Sequence, residues 1–189
     1  MNIEQIRDAL PDYARDLKLN LGTVLTTNGA PGLNQKQIWS IALASAIAAR
    51  NTSFARSVEA ESRAHLAEVE VDGAKAAAAI MGMNNIYYRF LHLVEDGEYQ
   101  TMPARLRMNV IANHGIDKLD FELISLAVSA VNGCGLCVTS HEKKLRSHDV
   151  SREAIQSAVR IAAAIHAVAV TQEFEQSKPA APASAVLAA

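Results

Sequence analysis

Residues Glu122–His141 read ELISLAVSAVNGCGLCVTSH, and the fold of the whole chain is read outward from this stretch. Phe121, Ile124, Leu126 and Val128 are apolar positions of a helix that runs from Asp117 to about Val131, and no alternation of period two competes with it. Asn132-Gly133 stops that helix, since both residues tolerate the left-handed backbone. Cys134 then opens a second helix that reaches about Arg146. The stretch is a helix, a break and a helix. It carries the only two cysteines of the chain, Cys134 and Cys137, three positions apart on one face of the second helix. His141 follows on the same face, one turn beyond Cys137.

This layout suits thiol chemistry. A cysteine at a helix start feels unpaired backbone N–H groups and the positive end of the helix dipole, and both favour the thiolate. CxxC thiols so placed titrate near or below about pH 7 instead of roughly 8.5. His141 can take the proton of Cys137 or stabilise its thiolate as an imidazolium. Glu122 would lie about 18 Å from Cys134 on an unbroken helix, at 1.5 Å per residue. The break lets the two helices fold back, so the carboxylate can reach the histidine side of the pair. Between Phe121 and Leu123 a carboxylate without a partner is costly to bury, and a Glu122–His141–cysteine relay supplies one. Which thiol is the more reactive stays open at this level: His141 stands nearer Cys137, whereas the dipole acts most on Cys134.

Two other readings of the same residues stand beside this one. Cys134, Cys137 and His141 could hold a structural zinc in a non-catalytic helical oligomer, with a fourth ligand to be found elsewhere. The cysteines could also be incidental core residues, although Gly133 and Gly135 flank Cys134 as close backbone approach would require. Haem attachment is excluded because Val138, not histidine, follows the second cysteine. The remaining histidines, Trp39, the tyrosines and the Met81-Gly82-Met83 pair are read as surface or core residues.

Upstream of this stretch the pattern stays helical. Ile3, Ile6 and Leu10 mark a short opening helix, and Pro11 starts a second that carries Tyr13, Leu17, Leu21, Val24 and Leu25. Turn residues from Asn28 to Leu33 end it. Asn34 is the expected cap of a helix from Gln37 to about Ala49, and Ser53 the expected cap of one covering Arg56 to Leu66. A long alanine-rich helix follows from Val71 to Leu93. Beyond Asp96-Gly97, a short helix is expected from Thr101 through Leu106, Val110 and Ile111, closed at His114-Gly115. Downstream, Ser151 caps a last helix to about Glu175, and the Ala/Pro-rich residues 177–189 form a tail. The fold class expected is all-α, a compact multi-helix domain over residues 1–176. Shifting the sequence by 84 places Ile41–Ile47 over Ser125–Val131 and sets Cys134 and Cys137 against Arg50 and Ser53, which suggests two pseudo-repeated halves, only one carrying thiols.

Composition narrows the function. The net charge is -2 and half of the residues are hydrophobic, much of that half alanine, so nothing points to nucleic acid and a core of closely approaching helices can be buried. The N-terminal MNIEQIRD is not a secretory signal, and the apolar run Ile161–Val170 is interrupted by His166 and too short for a bilayer. No membrane association is expected. The expected compartment is cytoplasmic, where a CxxC reads as redox or metal chemistry.

The combination of Glu122, SAVNGCGLCVTSHE from Ser129 to Glu142, MPARLRMN from Met102 to Asn109 and the helical context resembles the alkyl hydroperoxide reductase D (alkylhydroperoxidase D) family. That family lies within the carboxymuconolactone decarboxylase-like helical superfamily. The likeness runs from the opening helices to about Phe174, and the spacing Glu-x11-Cys-x2-Cys-x3-His is its specific part. The resemblance implies an antioxidant, lipoyl-dependent peroxidase with a Cys134–Cys137 disulfide in its cycle. It makes Cys137 the sulfenic-acid residue, Cys134 its proton donor and resolving partner, and Glu122 and His141 the proton relay. It further implies no bound cofactor or metal, a dihydrolipoyl group as reducing co-substrate, a lipoyl-bearing acyltransferase and a peroxiredoxin as partners, and a homotrimer. Some members carry a histidine directly before the second cysteine. Here that residue is Leu136, which leaves His141 as the base nearest in sequence.

Overall fold

The computed structural model describes residues 1–177, and its regular elements there are helices alone. In chain order they are α1 (Ile3–Asp8), α2 (Arg15–Val24), α3 (Gln35–Ala48), α4 (Thr52–Ser62), α5 (Glu68–Leu93), α6 (Glu98–Thr101), α7 (Lys118–Val131), α8 (Gly135–Arg146) and α9 (Arg152–Gln176). Single 3-10 turns at Asp12–Ala14 and Asn109–Ile111 precede α2 and α7. The all-α expectation holds. The expected tail lies outside the described residues from 178 onward.

α3 and α7 form the centre. Each packs against the other and against both long helices, α5 and α9. Every residue of α3 from Ile38 to Ala46 is buried, as is α7 from Leu123 to Ser129. Helices enclosed on all sides need small side chains at their crossings, which is the use of the alanines. α4 covers α3, α8 covers α7 and α5, and α2 lies along α9. At 25 residues, α9 is the one helix among the described residues long and apolar enough to cross a membrane, longer than the run Ile161–Val170 suggests. Within its most apolar window 56% of the residues are buried inside the protein, so it serves as a core helix.

Most caps fall where the sequence places them. Asn34 and Gln37 form a reciprocal capping box at α3, the Asn34 side chain accepting the Gln37 N–H at 2.9 Å. Ser151 Oγ accepts the Ala154 N–H at 3.0 Å. Two expectations fail. α4 starts at Thr52, capped by Asn51 and not by Ser53. Asn51 is buried, accepts the Phe54 N–H at 2.9 Å and also donates to the Ala169 carbonyl of α9, a tertiary contact that Ser53 could not make from inside the first turn. The short helix expected from Thr101 to Ile111 exists only at its two ends. Pro103 forces Met102 into extended backbone (φ −75°, ψ 139°), and Arg105 sits in the left-handed region at φ 51°. The bracketing turns survive and the middle is open chain.

The two halves are related. α3–α4–α5 and α7–α8–α9 follow the same order, and in each the first helix packs against the second and the third. The caps Asn34 and Asp117, and likewise Asn51 and Cys134, are each 83 positions apart, whereas Ala67 and Ser151 are 84 apart. α8 has 12 residues against 11 in α4, and that extra residue accounts for the change of offset. Each first-to-second helix junction turns through one left-handed residue, Arg50 (φ 67°) and Gly133 (φ 69°). Cys134 and Cys137 therefore correspond to Asn51 and Phe54, not to Arg50 and Ser53. The shift of 84 suits α5 against α9 and is one residue too long for the earlier helices.

Candidate active site

The junction between α7 and α8 is held before any chemistry is considered. Gly133 supplies the left-handed turn, and the Cys134 N–H donates back to the Ser129 carbonyl at 3.1 Å. Three hydrogen bonds pin this elbow to α5. Asn85 Nδ2 donates to Ser129 Oγ at 2.8 Å, Asn132 Nδ2 donates to Asn85 Oδ1 at 2.9 Å, and Arg89 Nη1 donates to the Asn132 carbonyl at 2.8 Å. Asn85 and Ser129 are fully buried, so a lost partner would leave a desolvated polar group behind. The sequence gives no signal for this brace, because it depends on α5 lying beside α7.

Cys134 is the cap of α8. Its Sγ accepts the Cys137 N–H at 3.3 Å, the position that a serine or asparagine oxygen takes in ordinary caps. Cys134 and Cys137 are joined as a disulfide within that first turn. Cys134 is wholly buried, and Cys137 nearly so.

Glu122 and His141 meet across the elbow. His141 Nδ1 and Glu122 Oε2 are 2.7 Å apart, and both side chains are mostly shielded, at 17% and 21% exposure. The folding back that the Asn132-Gly133 break allows thus occurs. The contact engages Nδ1 and leaves Nε2 as the ring nitrogen that the carboxylate does not hold.

Cys137, Glu122 and His141 line one cavity of about 300 Å³ between α5, α7, α8 and the turn at Asn109–Ile111. Its other walls are mainly apolar, from Met81, Tyr88, Met108, Ile111, Phe121 and Leu136. Cys134 is absent from this lining and stands behind Cys137. Met81, read from sequence as core filling, is both buried and part of the wall. Asn84 escaped the sequence reading, which took Tyr88 with the other tyrosines as a surface or core residue, and the signal available for both was the spacing of Met81, Asn84 and Tyr88 on one face of a helix. Behind the wall the His114 ring stacks on Phe121, with centroids 4.2 Å apart, and His65 stacks on Trp39. Among the described residues no three His, Cys, Asp or Glu side chains converge as a metal site.

Comparison with known proteins agrees with this architecture in two steps. Residues 97–174 match the carboxymuconolactone decarboxylase family, a segment that contains the elbow, both cysteines and nearly all of α9. Over almost its whole length the chain is also similar to curated proteins called alkyl hydroperoxide reductase AhpD. It is 54% identical over 175 residues to that of Rhodospirillum centenum, covering 93% of this chain and 92% of the relative. It is 56% identical over 171 residues to that of Gluconacetobacter diazotrophicus, with 90% and 92% covered. To the protein of Frankia alni it is 53% identical over 173 residues, with 92% of each covered. The chain belongs to the alkyl hydroperoxide reductase AhpD family.

Proposed function

We propose that this protein is an antioxidant peroxidase that reduces organic hydroperoxides with its Cys134/Cys137 dithiol. The observation that carries the reading is the shared cavity: one sulfur of the disulfide, Cys137, opens onto the apolar space where Glu122 and His141 meet.

In the reduced protein the Cys137 thiolate attacks the terminal oxygen of ROOH. An S–O bond forms, the O–O bond breaks, and the electron pair leaves on RO⁻. The Glu122–His141 pair removes the thiol proton and delivers a proton to the alkoxide, giving ROH and Cys137 sulfenic acid. Cys134, in the same turn, then attacks the Cys137 sulfur. The S–S bond forms, the S–O bond breaks, and water leaves with the Cys134 proton. A dihydrolipoyl group restores the dithiol by two thiol–disulfide exchanges and becomes the cyclic lipoyl disulfide. The lipoyl group is carried on an acyltransferase, and electrons can also pass to a partner peroxiredoxin, where Leu136 in place of a further acid–base group slows direct turnover. The cavity supports Cys137 as the attacking residue because Cys134 has no access to it.

The same reading places the protein in the cytoplasm as a homotrimer. Ile86, Phe90 and Leu93 form an exposed stripe on α5, 60%, 43% and 70% accessible, which a second copy would cover. Sedimentation equilibrium tests the assembly, and a monomer would refute it. The activity is tested by following cumene hydroperoxide consumption with dihydrolipoamide. Cys137→Ser should abolish it, and Cys134→Ala should leave a sulfenic acid on Cys137 that dimedone traps. Full turnover in the Cys137 variant would overturn the assignment.

A further inference from the structure

Asn84 and Asn85 are neighbours on α5, both at least 96% buried, yet the structure treats them differently. Asn85 is fully engaged with Ser129 and Asn132. Asn84 lines the cavity beside Cys137, Glu122 and His141, and its Oδ1 has no hydrogen-bond partner. A buried carbonyl oxygen left unpaired costs roughly 1–3 kcal/mol, so the chain gains nothing in stability from keeping one there. The other half shows what packing alone selects. α5 and α9 correspond with an offset of 84, so Asn84 answers to Val168, an apolar side chain that is completely buried. Asn84 belongs to the first half by sequence, but it lines the cavity that Glu122, Cys137 and His141 of the second half share, and the cavity lining does not include Val168.

We infer that Asn84 binds the hydroperoxide, its Oδ1 accepting the hydrogen bond of the substrate O–H and so holding the oxygen that Cys137 attacks. This rests on the peroxidase reading above. A primary amide carries a donor and an acceptor on one carbon, and a hydroperoxide offers an O–H beside accepting oxygens. Elsewhere the cavity wall is mainly apolar. Apart from the Glu122–His141 pair, which manages the proton, the Ser140 hydroxyl and the Tyr88 hydroxyl, which donates to Met108 Sδ at 3.8 Å, Asn84 is the polar side chain in the lining. As the O–O bond breaks, its electron pair moves onto the oxygen bearing the R group. An acceptor fixed in the cavity wall holds the hydrogen-bearing oxygen, the atom that Cys137 attacks, against the Cys137 sulfur and leaves the departing oxygen to the His141 side. The proton that completes the alcohol still comes from the His141 side, so Asn84 itself neither gains nor loses one.

The test uses the full-length protein, reduced and freed of reductant, in three measurements. These are single-turnover oxidation by cumene hydroperoxide, alkylation of Cys137 by iodoacetamide against pH, and reduction of the disulfide by dihydrolipoamide. In Asn84→Leu, oxidation by the peroxide should slow by roughly ten- to a hundred-fold, the order expected when one positioning contact is lost. Alkylation and disulfide reduction should stay within about twofold of wild type. Asn84→Ala, which removes the amide without adding bulk, should show the same pattern if the leucine variant folds poorly. Peroxide oxidation unchanged in both variants, or all three rates falling together, would overturn the inference. A wild-type dithiol that the peroxide does not oxidise would instead defeat the peroxidase reading itself.

Discussion

The second half of the molecule holds Glu122, Cys134, Cys137 and His141. The corresponding residues of the first half are Trp39, Asn51, Phe54 and Val58, all buried. The order of helices is the same in both, down to the left-handed residue between the paired helices. In the first half Asn51 caps α4 through its oxygen, Phe54 fills the space where Cys137 meets the cavity, and Trp39 and Val58 stand where the second half has its carboxylate and imidazole. In the second half the cap is a sulfur, the space stays open, and two polar groups face each other across the elbow. The difference teaches that the helical frame does not create the site. The site exists where a carboxylate, an imidazole and two sulfurs take four positions that the first half gives to core side chains and a cap.

The sharpest way to break this comparison is to exchange the demands on its paired positions. Phe54→Ala removes a fully buried ring and should cost about 3–5 kcal/mol of stability, read from denaturant unfolding under reducing conditions. Cys137→Ala under the same conditions should change stability by only about 1 kcal/mol while abolishing peroxide consumption. Equal stability losses would mean that Cys137 is core after all.

Next in size come Glu122→Gln and His141→Phe. Each should slow thiol oxidation by roughly a hundred-fold, the usual scale for a lost acid–base group, with the helical content unchanged. The two single losses should not add in the double variant, because the residues act through one hydrogen bond. Independent, additive effects would show that they are not a relay.

How much of this was legible follows from which interactions are local. The helices around Asn34, Asp117, Cys134 and Ser151 were readable because caps and breakers act within a few residues. Glu122 and His141 could be paired on paper because only one short break separates their helices. The cap of α4 was misplaced, since Asn51 was selected by the distant Ala169 carbonyl as well as by its own helix. The chain from Pro103 to Arg107 was misjudged because its apolar spacing outweighed proline and a left-handed arginine. Asn84 and the Asn85 brace lie about 50 residues from the cysteines and become neighbours only when α5 lies alongside α7 and α8. The repeat was visible in its alanine-rich helices, but its register turned on a single residue in α8.

A charge comparison gives a smaller effect. Glu122 faces a histidine, whereas Glu59, next to the counterpart of His141, is surrounded by fixed cations. Hydrogen bonds from Lys75 and then Arg56 hold its carboxyl down to about 2, and Arg63 lies 3.3 Å away. Because this value lies below the ordinary one, the pairing stabilises the fold fully above about pH 4.5 and loses that contribution as pH falls toward 2. After screening, it is worth roughly 1–2 kcal/mol. Melts of Glu59→Gln against wild type should show a deficit at pH 7 that shrinks steadily below pH 4.5. A deficit independent of pH would assign it to packing.

The smallest effect is read from the two junction residues themselves. Gly133 and Arg50 adopt nearly the same left-handed backbone, but only glycine does so without strain from a Cβ. A Cβ built at Gly133 meets no atom within 4 Å, so Gly133→Ala tests the backbone term alone and should cost roughly 1 kcal/mol. Arg50→Gly should stabilise by a similar or smaller amount, since relief of strain is offset by the greater freedom of glycine in the unfolded chain. In addition, Gly133→Ala should slow peroxide oxidation, because the elbow sets where Cys137 lies against the cavity. Arg50→Gly should leave that rate alone. If both substitutions shifted stability alike and neither touched the rate, the two junctions would be equivalent in use as well as in shape, and the placement of Cys137 would have to come from the Asn85 brace.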